Sequence, residues 1–253
     1  MLDIKSMSII ITGGCTGLGF GMAKMFSEKG ARITICGRRP EKVEEAGASL
    51  GKNVRAIVAD VTKEDDRNKI VKEAINHGKK IDVLVNNAGN MYRGKIDELK
   101  EDKLMEIFNS NVVAGMMLLG KVKNYLKESK GVNIFVGSVH NRRAFPGASP
   151  YAATKGALET LTKVLAAELG EDKIRVNCVV PGAIFTEINQ RAGIYNDETA
   201  KKRLDSMAQI HAMGRIGKPH EIAEAVEYLI CAEWTTGAVL DVDGGLGLGI
   251  TED

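Results

Sequence analysis

Thr12-Gly13-Gly14-Cys15-Thr16-Gly17-Leu18-Gly19 leads from the end of an apolar run, Met7–Thr12, straight into a helical pattern over Gly17–Lys29. Glycines in such a place let the backbone turn tightly and come close to a ligand. The helix that follows offers unpaired N–H groups and the positive end of its dipole, and both favour a phosphate. The spacing is GxxxGxG, not the GxGxxG of the standard dinucleotide fingerprint. A glycine cluster alone also fits a structural turn. Its position between strand and helix makes a dinucleotide pyrophosphate the better reading.

The rest of the chain repeats that strand-to-helix step. Apolar runs at Arg32–Cys36, Val54–Ala59, Ile81–Asn86, Val132–Val136, Ile174–Val180 and Ala238–Val242 alternate with amphipathic stretches. Those stretches are Glu41–Leu50, Glu64–Asn76, Glu98–Lys127, Tyr151–Leu169 and Glu221–Cys231. Strands buried on both faces read as unbroken apolar runs. Their alternation with helices predicts an α/β fold, a Rossmann-type doubly wound parallel sheet flanked by helices on both faces. The 253 residues suit one such domain, 1–253. The irregular stretch Glu187–Gly217 interrupts the rhythm and is expected to be a substrate lid.

Composition excludes several classes. Apolar residues make up 44% and charged residues 27%, ordinary for a globule with a full core. A formal charge of +2 is too small a field to argue for nucleic acid. No apolar run approaches the roughly 18 residues of a membrane span, and Met1 to Gly14 shows no export-signal pattern. Cys15, Cys36, Cys178 and Cys231 are scattered and form no CxxC, and no His/Cys/Asp cluster suggests a metal. Scattered thiols suit a reducing compartment, so the expectation is a cytoplasmic protein.

In a doubly wound sheet the ligand lies beyond the carboxyl ends of the strands. After the second run stands Gly37-Arg38-Arg39. An acid at this corner holds the ribose 2′-hydroxyl of NAD, whereas an arginine accommodates the 2′-phosphate of NADP. The nearest acid is Glu41, already at a helix start. NADP(H) is therefore the expected cofactor, with NAD(H) possible. After the third run comes Asp60-Val61-Thr62, where Asp60 is alternatively a helix cap. After the fourth comes Asn86-Asn87-Ala88-Gly89, whose small residues keep backbone near a ligand. Tyr151-Ala152-Ala153-Thr154-Lys155 begins a helical pattern, and residues i and i+4 share a face, so a phenol and an ammonium meet. Free tyrosine titrates near pH 10, and an adjacent positive charge lowers that value toward useful proton exchange. YxxxK is common by chance. Ser138, just after the fifth run, adds a hydroxyl within reach of a substrate oxygen.

Taken in order, these motifs resemble the short-chain dehydrogenase/reductase family: TGGCTGLG at Thr12, DVT at Asp60, NNAG at Asn86, Ser138, YAATK at Tyr151 and PGAIFT at Pro181. GRIGKPHEIA from Gly214 and DVDGG from Asp241 extend the resemblance to Gly245. It implies an oxidoreductase that moves a hydride between a nicotinamide and a secondary alcohol or ketone, with Asn111, Ser138, Tyr151 and Lys155 as its catalytic set. Tyr151 would exchange the proton, Ser138 orient the oxygen, and Lys155 tune Tyr151 and bind the nicotinamide ribose. Asn111 would hold a water linking Lys155 to solvent; Asn109, two residues earlier, faces another way on a helix. Implied cofactor contacts are Gly13, Cys15, Thr16, Gly17, Leu18 and Gly19, then Arg38 and Arg39, Asp60 and Val61, and Asn87, Ala88 and Gly89. Pro181, Gly182, Ile184 and Thr186 would close over the nicotinamide, beside Tyr151 and Lys155.

Substrate contacts are expected from Ser138, His140 and Tyr151. Asn90, Met91, Arg93, the stretch from His140 to Arg143 and the lid would line the pocket, with Met207 and Met213 packed in the lid. Arg142 and Arg143 either attract an anionic substrate or are solvated. GCTGLG, GSVHN and PGAIFTEIN are similar to bacterial glucose 1-dehydrogenases, which favours a sugar or polyol. Family members that reduce 3-oxoacyl groups on an acyl-carrier protein, or act on hydroxysteroids, are alternatives. A non-catalytic nucleotide sensor of this fold is a further one, disfavoured by the complete catalytic set. Glu98–Lys127 and Tyr151–Leu169 carry apolar residues around much of their circumference. The family implies that they pair across a two-fold axis, in a homodimer or homotetramer. A small-molecule substrate is expected, and neither nucleic acid nor a membrane.

Overall fold

Ser8-Ile9-Ile10-Ile11-Thr12 is buried at every position and forms β1, in the middle of the sheet. The structure, a computed structural model, describes residues 2–184 and 206–249. Successive side chains of β1 face opposite ways: Ile9 and Ile11 enter one core cluster and Ile10 the other. β1 is therefore covered on both faces, as its unbroken apolar run requires.

Around it lie β2 (Arg32–Gly37), β3 (Val54–Val58), β4 (Val83–Asn86), β5 (Val132–Val136), β6 (Arg175–Pro181) and β7 (Val239–Val242). All neighbours are parallel, in the order β3-β2-β1-β4-β5-β6-β7. Ile9 pairs with Ile33 on one side and Val83 on the other. The chain thus builds outward from β1 in one direction and then resumes at β4 in the other. The carboxyl ends of β1 and β4 form the switch point where such sheets bind ligands.

On one face α1 (Gly17–Glu28) supplies Met22, Ala23 and Phe26. α2 (Pro40–Leu50) joins this layer through Ala46. On the other face α3 (Glu64–Gly78) supplies Ile70 and Ala74. The expected helix over Glu98–Lys127 runs unbroken from Glu101 to Ser129 but is wound unevenly. A 3-10 turn at Ile96–Glu98 precedes α4 (Glu101–Phe108), a π turn at Asn109–Val113 and α5 (Ala114–Ser129). The π turn widens the helix by one residue and turns Ser110, Asn111 and Val112 inward. α6 (Ser149–Leu169) starts two residues before Tyr151, because Pro150 fits a first helical turn. α7 (Pro219–Cys231) lies beside α1 and completes the first layer with Ile222, Val226 and Leu229.

Of the expected lid, 187–205 lies outside the described residues, as does Thr186. From Ser206 onward the chain returns to the sheet, with His211 buried and Gly217 bridged to Ile184. Among the described residues no helix is long and apolar enough to cross a membrane.

Candidate active site

Gly13 and Gly17 both take left-handed backbone, φ +64° and +56°, which strains any other residue. A Cβ on Gly13 would stand 3.0 Å from the Ala88 Cα. The glycine loop is tied to the loop after β4 by the buried Thr12 hydroxyl. Its oxygen accepts the Asn87 N–H (3.1 Å) and the Ala88 N–H (3.0 Å) and donates to the Val85 carbonyl (3.3 Å). The Asn87 side-chain Nδ2 donates back to the Thr12 (2.9 Å) and Gly13 (3.1 Å) carbonyls. Two loops distant in sequence thus form one rigid floor.

A single cleft runs over that floor from the end of β3 to the end of β6. Of the expected cofactor residues, Gly13, Thr16, Gly17, Leu18, Arg38, Asp60, Val61, Asn87, Ala88, Gly89, Tyr151, Lys155, Pro181, Gly182 and Ile184 line it. Cys15, Gly19 and Arg39 do not. Cys15 turns away from the cleft and packs against the core, where burial pushes its thiol up to about 11. Gly19 serves packing: a Cβ there would collide with the Gly13 carbonyl and stand 2.6 Å from the Asn87 Nδ2. Arg39 is half-buried at the start of α2. The Asp60 carboxylate accepts the Thr62 N–H (3.0 Å) and hydroxyl (2.8 Å), so it shapes its own turn while its residue borders the cleft.

At the other end of the cleft, α6 sets Tyr151 and Lys155 one turn apart. The Lys155 Nζ lies 5.5 Å from the centre of the Tyr151 ring and donates to the Val136 carbonyl at 2.8 Å. Ser138, just past β5, hydrogen-bonds the Tyr151 phenol and lies 3.1 Å from the His140 Nδ1. The His140 imidazole is held between Phe145 and Tyr151, at 4.5 and 5.1 Å between ring centres. Ser138, Tyr151, Lys155 and His140 all border the cleft.

The electrostatics correct the sequence expectation. Burial pushes the Tyr151 phenol up to about 12, with the Ser138 hydrogen bond pulling the other way. Burial also brings the Lys155 ammonium down to about 8. The ammonium faces the Tyr151 ring and the Val136 carbonyl, so desolvation outweighs the charge–charge effect that i, i+4 spacing alone implied.

Asn111 is buried and Asn109 exposed. The Asn111 Oδ1 accepts the Asn90 N–H (2.8 Å) and the Ser110 hydroxyl (3.0 Å). Its Nδ2 donates to the Asn90 carbonyl (3.0 Å) and the Thr154 hydroxyl (3.1 Å), and Thr154 donates to the Tyr151 carbonyl (2.8 Å). Asn111 thereby fastens the segment after Gly89 to the helix that carries Tyr151.

Asn90, Met91 and Met207 border the cleft, but three expected arginines are engaged elsewhere and Met213 does not line it. Arg142 pairs with Glu159 (2.7 Å) and Asp241 (3.1 Å), and Arg143 donates to the Leu246 carbonyl (3.4 Å). Arg93 donates to the Pro146 carbonyl (3.1 Å), and Met213 is exposed. None of these three arginines lines the cleft, which removes the reason to expect an anionic substrate from them. Among the described residues no group of three His, Cys, Asp or Glu is placed to hold a metal ion.

Sequence reasoning missed Thr12, Thr154 and the side chain of Asn90. Thr12 and Thr154 stand inside quoted motifs, at a strand end and within YAATK, so their hydroxyls were visible but had no partner to name. Asn90 accepts a 3.1 Å hydrogen bond from the Arg38 Nη2, across 52 residues of sequence. No local pattern signals that contact.

Residues 13–247 match a family model described as Enoyl-(Acyl carrier protein) reductase. The chain is 33% identical to the 3-oxoacyl-[acyl-carrier-protein] reductase FabG of Chlamydia trachomatis over 250 residues, 96% of this chain and 98% of that one. It is also 33% identical to the L-fucose dehydrogenase of Oryctolagus cuniculus over 251 residues, 95% of this chain and 85% of that one. Among solved structures it resembles a short-chain dehydrogenase/reductase of unknown function from Caenorhabditis elegans with cofactor, with TM-score 0.92, 32% identity and 98% of each chain covered. A 3-ketoacyl-(acyl-carrier-protein) reductase from Brucella melitensis complexed with NADH superposes with TM-score 0.85 and 32% identity, over 96% of this chain and 99% of that one.

Proposed function

The chain belongs to the short-chain dehydrogenase/reductase family of NAD(P)-dependent oxidoreductases, and from that premise we propose that it prefers NADP(H) and acts on a sugar or polyol. One observation carries the reading: a single cleft joins a glycine cradle and Arg38 at one end to Ser138, Tyr151 and Lys155 at the other. The residues fit a dinucleotide. Left-handed Gly13 and Gly17 leave no side chain between the backbone and a pyrophosphate, and Arg38, just past β2, borders the same cleft and would face the adenosine end.

When bound, the nicotinamide supplies the hydride chemistry; the chain supplies alignment and proton chemistry. In reduction Tyr151 donates its phenolic proton to the carbonyl oxygen as negative charge develops there. Ser138 holds that oxygen in place. Lys155, among the described residues the Lys or Arg that borders the cleft beside Tyr151, would bind the ribose and return a proton to Tyr151. Asn111 keeps the Asn90 backbone and α6 in register, so the proton path stays fixed. In oxidation the same groups run in reverse.

The sugar or polyol reading is supported by the polar Ser138–His140 pair beside Tyr151 and by the L-fucose dehydrogenase among the relatives. The FabG relative supports 3-oxoacyl thioester reduction as the second reading. A panel of aldoses, polyols, 3-oxoacyl thioesters and hydroxysteroids, followed by nicotinamide absorbance with each cofactor, decides between them. Turnover of thioesters alone overturns the sugar reading. Nucleotide binding without turnover of any compound leaves the sensor reading in its place.

Two further features belong to this proposal. The four cysteines are unbridged, which suits the cytoplasm. Met105, Val113 and Met117 on the α4–α5 segment and Val164 on α6 are exposed, which suits a homodimer or homotetramer built through these helices.

A further inference from the structure

β2 and β4 flank β1, so the loops that follow them meet above the glycine loop. There the Arg38 Nη2 donates to the Asn90 Oδ1 at 3.1 Å, and both residues border the cleft. The two partners differ in freedom. Asn90 is fixed at its backbone, whose N–H and carbonyl are both bonded to Asn111. Arg38 is exposed, on a flexible stem.

We infer that Asn90 sets the cofactor preference by competing with the 2′-phosphate of NADP for the Arg38 guanidinium. The inference rests on the reading of Arg38 as the phosphate ligand. A guanidinium binds a phosphate through two parallel charge-assisted bonds, stronger than one bond to a neutral amide oxygen. A phosphate that takes the Nη2 edge of Arg38 therefore wins it and displaces the Asn90 amide. NAD has no 2′-phosphate and leaves that bond intact. The amide thus holds the NADP preference below what Arg38 alone would give, and does so without touching NAD binding.

Isothermal titration of NADP+ and NAD+, without substrate, into the wild type, Asn90→Ala, Arg38→Ala and the double variant tests this. Asn90→Ala keeps both backbone bonds to Asn111. It should tighten NADP+ about two- to fivefold, the worth of one exposed hydrogen bond, and leave NAD+ unchanged. The unchanged NAD+ affinity also reports an intact fold. In the Arg38→Ala background the same change should do nothing. The inference is overturned if Asn90→Ala leaves NADP+ unchanged, weakens both cofactors alike, or still tightens NADP+ without Arg38. If Arg38→Ala leaves the NADP+ to NAD+ ratio unchanged, the underlying reading of Arg38 falls instead. That outcome is distinct from a loss of NADP+ affinity in Arg38→Ala with no effect of Asn90→Ala.

Discussion

Lys155 faces the Tyr151 ring, 5.5 Å from its centre, and burial of both groups governs how the pair responds to pH. With the phenol at about 12 and the ammonium at about 8, Lys155 is the group that titrates first as pH rises. On the proposed mechanism Tyr151 keeps its proton to donate throughout, while the cation that would replenish it is lost. The expected kcat/KM for ketone reduction is flat on the acid side and falls above about pH 8. Lys155→Arg, which stays charged, should move that fall to higher pH; a wild-type profile with no break there contradicts the assignment. The sign for stability is opposite between the two groups. Lys155 binds fewer protons folded than unfolded from about 8 to 10.5, so stability rises with pH across that window. Tyr151 keeps its proton when folded from 10 to about 12, so stability then falls. Tyr151 and Lys155 were legible in the sequence because i, i+4 is a local geometry. The phenol's upward shift was not, because burial is a property of the assembled cleft. The Arg38–Asn90 bond was hidden for a related reason, since only the strand order 2-1-4 brings those loops together.

At the scale of elements, the strands were the plainest reading. Ser8-Ile9-Ile10-Ile11-Thr12 can satisfy its apolar residues only with cover on both faces, and the sheet provides it. The π turn left no such mark. Asn109-Ser110-Asn111-Val112-Val113 is compatible with a plain helix, and what shows the wider turn is the set of partners that Asn111 gains inward. The join between the glycine loop and the β4 loop depends equally on a buried hydroxyl. Thr12→Val keeps the shape and orphans the half-buried Ala88 N–H, while the Asn87 N–H keeps only its bond to the Val85 carbonyl (3.1 Å). A buried unsatisfied donor costs about 1–3 kcal/mol. At about 2–4 °C per kcal/mol for a domain of this size, Tm should fall by about 2–12 °C. NAD+ and NADP+ should both bind more weakly, because the floor beneath them loosens. An unchanged Tm in a thermal melt, with cofactor affinity intact, shows that the Thr12 hydroxyl does not hold the two loops.

For the whole molecule, the exposed apolar residues of α4, α5 and α6 predict an assembly. Light scattering at micromolar concentration should give a dimer or tetramer, and Met117→Glu should shift it toward the monomer; a monomeric wild type contradicts the pairing. The doubly wound fold was legible because seven apolar runs and their helices follow one rule. The substrate was not, since the motifs fix the proton chemistry and leave the pocket lining open; 187–205 of the expected lid lies outside the described residues. The proposed hydride transfer in this cleft has Tyr151 exchanging the proton. It is tested most directly by steady-state turnover of the wild type and Tyr151→Phe on the best substrate of the panel, with cofactor affinity titrated in parallel. The phenylalanine keeps the ring against His140 and Lys155 and removes only the proton donor. Turnover should fall about 10²–10⁴-fold at nearly unchanged cofactor affinity. Turnover close to that of the wild type would contradict this role of Tyr151.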